Sequence, residues 1–277
     1  MKRLFFFWFL ILAISSPIDS LGQRLSREQV YDTIQTMPFF SSYHDNYFIS
    51  GIPTNKPTTK DNADIKYQIS FKQLVTRTTL PLNSYLFLSY SQKAFWNVYS
   101  KSSPFEEINF NPAIGLGKPL FNKEGYIFGL AELKFEHESN GRDGLESRSW
   151  NRVIGAFHTP LGRRTTLSLK AWIPFAYKDP HPDLLDYVGL GEVKVEQTFF
   201  SNRFIGEVTI RKGLEGWKGS VGSKIYYKLF NNSGNQYLML EWFAGYAESL
   251  IDYNKYTSMI RLGYVIKSSD LDILKTR

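Results

Sequence analysis

Residues 166–175 read Thr-Leu-Ser-Leu-Lys-Ala-Trp-Ile-Pro-Phe, and their alternation decides the fold. Successive side chains of an extended strand point to opposite faces. Leu167, Leu169, Ala171, Ile173 and Phe175 therefore share one face, and Thr166, Ser168, Lys170 and Trp172 the other. The same period recurs elsewhere. Ile65, Tyr67, Ile69 and Phe71 oppose Lys66, Gln68, Ser70 and Lys72; Val193 and Val195 oppose Glu192, Lys194 and Glu196; Val221, Ile225, Tyr227 and Leu229 oppose Lys224, Tyr226 and Lys228. A soluble sandwich also alternates, but it turns its charges to water and keeps connections short at both ends.

Twelve such runs can be placed, at 45–53, 64–76, 82–96, 108–117, 125–138, 149–158, 165–175, 187–199, 203–211, 219–230, 236–248 and 257–267. An even number of short alternating segments is the signature of a closed antiparallel transmembrane β-barrel. The expected fold is thus all-β, a twelve-stranded antiparallel transmembrane β-barrel. Parity puts short turns at 118–124, 159–164 and 231–235 on one end. Longer connections at 97–107, 138–148, 176–186 and 248–256 fall on the other. Glu132, Glu136, Glu192, Glu196, Glu207 and Glu241 share the lumen with Lys134, Arg152, Lys170, Lys194, Arg211, Lys224 and Arg261. Balanced charge of this kind points to a filled interior rather than an open pore. The 17 Tyr and 22 Phe residues suit aromatic girdles at the two membrane interfaces.

The chain opens with Lys2 and Arg3, an apolar run from Leu4 to Ile14, and then Ser20-Leu21-Gly22, the order of a secretory signal peptide. That run is too short to span a bilayer, which takes roughly 20 residues. Residues 1–22 are expected to be removed, leaving 23–277 as a single barrel domain in which 23–44, lacking alternation, form a periplasmic N-terminal segment. There is no cysteine, hence neither a lipoprotein anchor nor a disulfide. The net charge of +7 is spread over scattered basic residues with no nucleic-acid motif. An anionic lipopolysaccharide surface is the more natural neighbour for an exported chain.

The chemistry concentrates between Glu136 and Arg152, which read Glu-His-Glu-Ser-Asn-Gly-Arg-Asp-Gly-Leu-Glu-Ser-Arg-Ser-Trp-Asn-Arg. His137 and Ser139 have the lipid-facing parity of Leu133 and Phe135, and Asn151 that of Val153 and Phe157. Polar groups facing lipid cost free energy, about 2–4 kcal/mol for a cation at mid-bilayer and much less near the interface. A cluster of them implies use on a substrate that arrives through the membrane. Ser139 has the chemistry of a nucleophile, His137 of a general base and then acid, and Asn151 of a group that fixes the imidazole tautomer. The Gly141 N–H is placed to donate to the oxyanion.

This run resembles the signature of the outer membrane phospholipase A family, His-x-Ser-Asn-Gly-Arg followed by Ser-Arg-Ser-Trp-Asn at the same spacing. Tyr90-Ser91-Gln92-Lys93 with Trp96, Ser102-Ser103-Pro104-Phe105, Pro182-Asp183 and the segment from Gly245 to Asn254 resemble further family segments in the family order. The resemblance implies a calcium-dependent phospholipase of a Gram-negative outer membrane. It would hydrolyse acyl esters of glycerophospholipids and lysophospholipids (A1, A2 and lysophospholipase activity), with its site toward the outer leaflet and a homodimer as active form. By motif position it implies Ca2+ held by the Arg142 carbonyl, the Ser147 hydroxyl and the Ser102 carbonyl of a second copy, with Asp183 as a further ligand. Where the family can carry an aspartate, seven residues after the histidine, this chain has Gly144, beside Asp143. Gln92 resembles the family's polar residue at the dimer interface. The alternatives are a catalytically silent channel or structural barrel, and an acyl-modifying enzyme acting on lipopolysaccharide. The intact His137, Ser139 and Asn151 favour the phospholipase.

Overall fold

The computed structural model describes residues 24–177, 181–200, 203–230 and 234–274. The expected signal segment, 1–22, lies outside them. The barrel is built from β1 (Asn46–Pro53), β2 (Asp64–Leu74), β3 (Tyr85–Trp96), β4 (Phe105–Phe121), β5 (Ile127–Ser139) and β6 (Ser149–Pro160). It continues through β7 (Thr165–Phe175), β8 (Gly191–Phe199), β9 (Phe204–Lys212), β10 (Gly219–Lys228), β11 (Gln236–Gly245) and β12 (Thr257–Ile266). Each strand pairs antiparallel with the next, and β12 returns to β1, with Arg261 opposite Gly51, so the sheet closes on itself. This is the twelve-stranded barrel expected from the alternation. Closure matters because hydrocarbon offers unpaired edge groups no partner.

Sidedness follows the same parity. On β5, Leu133 and Phe135 are 55% and 47% exposed, whereas Glu132, Lys134 and Glu136 are buried. Ile173 on β7 is 73% exposed. Among the described residues no helix is long and apolar enough to cross a membrane, and the outward apolar band belongs to the strands.

Inside, the expected charges pair. Lys170 meets Glu192 at 3.3 Å, Lys224 meets Glu207 at 3.1 Å, and Lys194 meets Glu207 at 3.6 Å. Arg152 pairs with Glu136 and Glu138. The densest network surrounds Arg261, which donates to Asp64 at 2.7 Å and to Glu248 at 2.7 Å, while Lys66 joins Glu241 at 2.7 Å and Glu248 at 2.9 Å. Glu248 lies in the loop after β11 and folds inward to reach these cations. A cavity of about 320 Å3 remains, bounded below by Ser268, Leu271 and Asp272.

Both ends are capped. At the short-turn end, helix α1 (Arg27–Thr36) starts with a capping box between Ser26 and Gln29. Its Val30 and Ile34 are buried with Leu74, Tyr85, Phe87, Ile127, Leu130, Ile273 and Leu274. The segment after β12 thus turns back beneath the barrel. At the long-loop end, the short helix α2 (Leu184–Val188) buries Leu184 and Val188 against Trp150, Trp172, Leu250 and Tyr253.

The chain enters the barrel by an interrupted stave. Phe40 and Ser41 pair with Gln73 and Lys72 of β2, and β1 resumes that edge only at Asn46. Between them Tyr43, His44 and Asp45 dip into the lumen and line the cavity. Asp45 accepts the Ser268 N–H at 2.9 Å and the Tyr226 hydroxyl at 2.8 Å, and the Ser268 hydroxyl donates to the Tyr43 carbonyl at 2.9 Å.

Candidate active site

The β5–β6 hairpin fixes the candidate residues through its register. His137 pairs directly with Asn151, Glu136 with Arg152, and Ser139 with Ser149. On the outward face, His137 Nδ1 lies 2.9 Å from Asn151 Oδ1. An amide oxygen only accepts, so Nδ1 carries the proton in this pair and Nε2 is left with its lone pair. Ser139 is two residues beyond His137 on the same face, about 6.6 Å further along the strand by strand geometry. Among the described residues no hydrogen bond joins its hydroxyl to the imidazole. All three side chains are half-buried.

Beneath them, on the inward face, Arg152 stacks over Trp150 at 4.1 Å, and the Trp150 indole donates to Glu138 at 3.0 Å. These residues stiffen the hairpin from the lumen side and do not reach its outer face.

Gly141 follows the hairpin with φ +67. A Cβ there would lie 3.0 Å from the Phe110 ring, so both the backbone and the space call for glycine. Among the described residues no protein acceptor takes its N–H. Asn140, which the sequence reading left without a role, ties the loop together. Its Oδ1 accepts the N–H of Arg148 at 2.9 Å and of Arg142 at 3.3 Å, and its Nδ2 donates to the Glu146 carbonyl at 2.9 Å. A buried asparagine between the nucleophile and a glycine was the available signal.

The expected calcium ion is corrected by the side chains. Among the described residues, no group of three or more His, Asp or Glu side chains converges to hold a metal. Asp183, the only carboxylate of the expected set, instead receives the Tyr253 hydroxyl. Burial, and then this carboxylate, push the Tyr253 hydroxyl above its usual range. Two carboxylates at the loop are met by a cation, since Arg142 pairs with Glu146 and lies 3.5 Å from Glu107. Ser102, at φ +67 in the β3–β4 connection, and Ser147, at the end of a 3-10 turn, add no carboxylate to Arg142 and Asp183. A hard cation that prefers oxygen ligands finds no carboxylate cluster among the described residues.

Gln92 is the residue likened above to the family's polar residue at the dimer interface. Its Oε1 accepts the Tyr90 hydroxyl at 2.9 Å, so half of that amide is satisfied within one chain.

A closed transmembrane barrel with an outward-facing histidine–asparagine pair beside a serine has the makings of a membrane-embedded hydrolase. Comparison with known proteins gives the same class. The phospholipase A1 family model matches residues 23–266, and the chain belongs to that family. A Neisseria meningitidis relative is 28% identical over 258 residues, covering 87% of this chain and 65% of its own length. The Escherichia coli phospholipase A1 is 30% identical over 212 residues, covering 75% of this chain and 70% of its own. Among solved structures, the Salmonella typhi outer membrane phospholipase, described as a dimer with bound calcium, superposes with a TM-score of 0.76 at 24% identity. It covers 88% of this chain and 99% of that one. Family membership supports phospholipase A-type hydrolase chemistry in an outer-membrane barrel.

Proposed function

We propose that the chain is an outer-membrane phospholipase that hydrolyses acyl esters of glycerophospholipids and lysophospholipids, at both A1 and A2 positions, through Ser139, His137 and Asn151. The observation that carries this reading is the His137 Nδ1–Asn151 Oδ1 contact of 2.9 Å on the lipid-facing side. A polar pair in that place serves a substrate that diffuses in the membrane plane. Ser139 Oγ attacks the ester carbonyl, and its proton passes to His137 Nε2. The Gly141 N–H donates to the oxyanion. Collapse expels the glycerol-side oxygen, which takes the proton back from His137. Water then attacks the acyl-serine by the same route and releases the fatty acid. Asn151 holds the ring in place but, being neutral, stabilises the imidazolium less than a carboxylate does, so much of the rate rests on the oxyanion donors.

The long-loop end, where these residues sit, faces the outer leaflet in this reading, and the active form is a homodimer. Support for the dimer comes from the description of the Salmonella typhi structure and from the Gln92 amide nitrogen, which gains a partner when two copies meet.

The test is hydrolysis of a phospholipid and a lysophospholipid by the refolded chain, with Ser139→Ala in parallel and products identified by mass spectrometry. Fatty acid release that vanishes in the variant is expected. Equal release from the Ser139→Ala chain would sink the assignment.

A further inference from the structure

Arg142 and Arg148 each reach atoms of the loop that follows the nucleophile, but Asn140 is the side chain that bonds the backbone of both its limbs. Asn140 is 5% exposed, and its amide bridges both limbs of the 140–148 connection: Oδ1 to the N–H groups of Arg142 and Arg148, Nδ2 to the carbonyl of Glu146. Its own N–H donates to the Arg148 carbonyl at 3.0 Å, which continues the ladder one step past Ser139. Gly141 stands between Asn140 and Arg142, so its peptide is clamped on both sides by groups that Asn140 holds. The φ of +67 and the Phe110 ring restrict the same peptide from its other side. Without these ties, a stretch with glycines at 141 and 144 samples many conformations, and few of them aim the Gly141 N–H at the carbonyl that Ser139 attacks.

We propose that Asn140 is a positioning residue for ester hydrolysis, fixing the Gly141 N–H where charge develops in the transition state. This rests on the hydrolase reading above and extends it by naming what sets the geometry of the oxyanion donor. Oxyanion stabilisation depends on donors held in place before the reaction, and a misplacement near 1 Å costs on the order of 10²-fold in rate. A residue that merely stabilised the loop would move unfolding and leave kcat alone. Asn140 acts on kcat while the ester still binds against the outer face of the barrel.

The experiment uses the refolded full chain and the variants Asn140→Ala, Asn140→Asp, Asn140→Ser and Ser139→Ala. The first readout is kcat and KM on a lysophospholipid. The second is the rate at which a lipid-tailed nitrophenyl phosphonate modifies the chain. In that step the Ser139 Oγ–P bond forms, nitrophenolate leaves, and the serine proton goes to His137. The phosphonyl oxygen takes the place of the ester oxyanion. For Asn140→Ala, a fall in kcat on the order of 10²-fold is expected, with KM little changed and phosphonylation slowed to the same extent. Asn140→Asp keeps an oxygen for both N–H groups but sets its second carboxylate oxygen against the Glu146 carbonyl, so it should recover at most part of the rate. Asn140→Ser is too short to reach both and should resemble the alanine chain, which carries the test should that chain fail to fold. Wild-type kcat in the alanine or serine chain, or a loss confined to KM, would each overturn the proposal. Hydrolysis that survives Ser139→Ala, or a phosphonate attached elsewhere, would instead overturn the hydrolase reading itself.

Discussion

His137 and Asn151 are direct partners in the β5–β6 ladder, and their side chains meet with Nδ1 and Oδ1 2.9 Å apart. The imidazole orientation is therefore set by strand register, not by a mobile loop. Asn151→Ala removes the acceptor but leaves the backbone pairing intact. A loss of about 10- to 100-fold in kcat is expected, with KM nearly unchanged, since the amide orients and does not transfer protons. Steady-state kinetics on a lysophospholipid checks it; a change confined to KM would assign Asn151 to substrate binding.

Gly141 and Gly144 give a matched pair. Both have positive φ, +67 and +60, but a Cβ at 141 meets the Phe110 ring whereas one at 144 meets nothing within 4 Å. Alanine at either site carries a left-handed backbone cost of about 1–2 kcal/mol. Only Gly141→Ala should also lower kcat, by roughly 10²-fold, as the donor is displaced. Parallel unfolding and kinetic measurements on the two variants separate strain from chemistry.

The Arg261 network should dominate lumen stability. Its side chain is almost wholly buried between Asp64, Glu241 and Glu248, and Arg261→Met leaves three carboxylates without it. Removing one partner of a buried ionic group costs about 3–5 kcal/mol, to be read from denaturant unfolding in detergent.

The same network sets an acid limit. Burial alone would raise the Glu248 carboxyl, but Arg261 and Lys66 outweigh it and hold it down at about 2. A folded-state value below the unfolded one, about 4.3, contributes stability that is fully present above that value. The contribution is lost as pH falls toward 2. Glu248→Gln should flatten this part of the acid unfolding curve; an unchanged slope would count against the role of Glu248.

Helix α1 is expected to contribute to stability without entering the chemistry. Ile34 is 2% exposed within the cluster at the short-turn end, and Ile34→Ala should destabilise the barrel by about 2–5 kcal/mol through lost contacts and a cavity. Under conditions where the variant stays folded, kcat should match wild type.

The strands were legible because a period of two survives whatever surrounds it, and lipid outside a charged lumen sharpens the contrast. Leu133 and Phe135 facing out, with Lys134 and Glu136 facing in, could be read before any coordinates. Helix α1 could not be read the same way: its apolar signal is only Val30 and Ile34, and the surface that buries them comes from Tyr85, Phe87 and Ile127, far along the chain. Parity placed His137 and Asn151 on the same outward face, and their direct pairing came from the strand register. The expected metal set failed because ligands carried over from a family resemblance say nothing of competition, and Tyr253 engages Asp183 while Arg142 engages Glu146. Asn140 was hidden for a related reason, since its role depends on hydrogen bonds to backbone groups that no side-chain pattern records.

The contact between Asp45 and Ser268 joins positions 223 residues apart, and it fastens the seam where β12 meets β1. A contact between such distant positions bears a large chain-closure entropy and is expected to form late. Until it does, an assembly with eleven of its staves in register is still an open sheet with two raw edges in hydrocarbon, where each unsatisfied backbone group costs several kcal/mol. There is consequently no comfortable halfway point in the life of this molecule. Insertion is expected to approach all-or-none behaviour, with the meeting of its first and last staves as the closing step, and a lesion at Asp45 should show itself as slow maturation in the membrane before it shows as a weak final product.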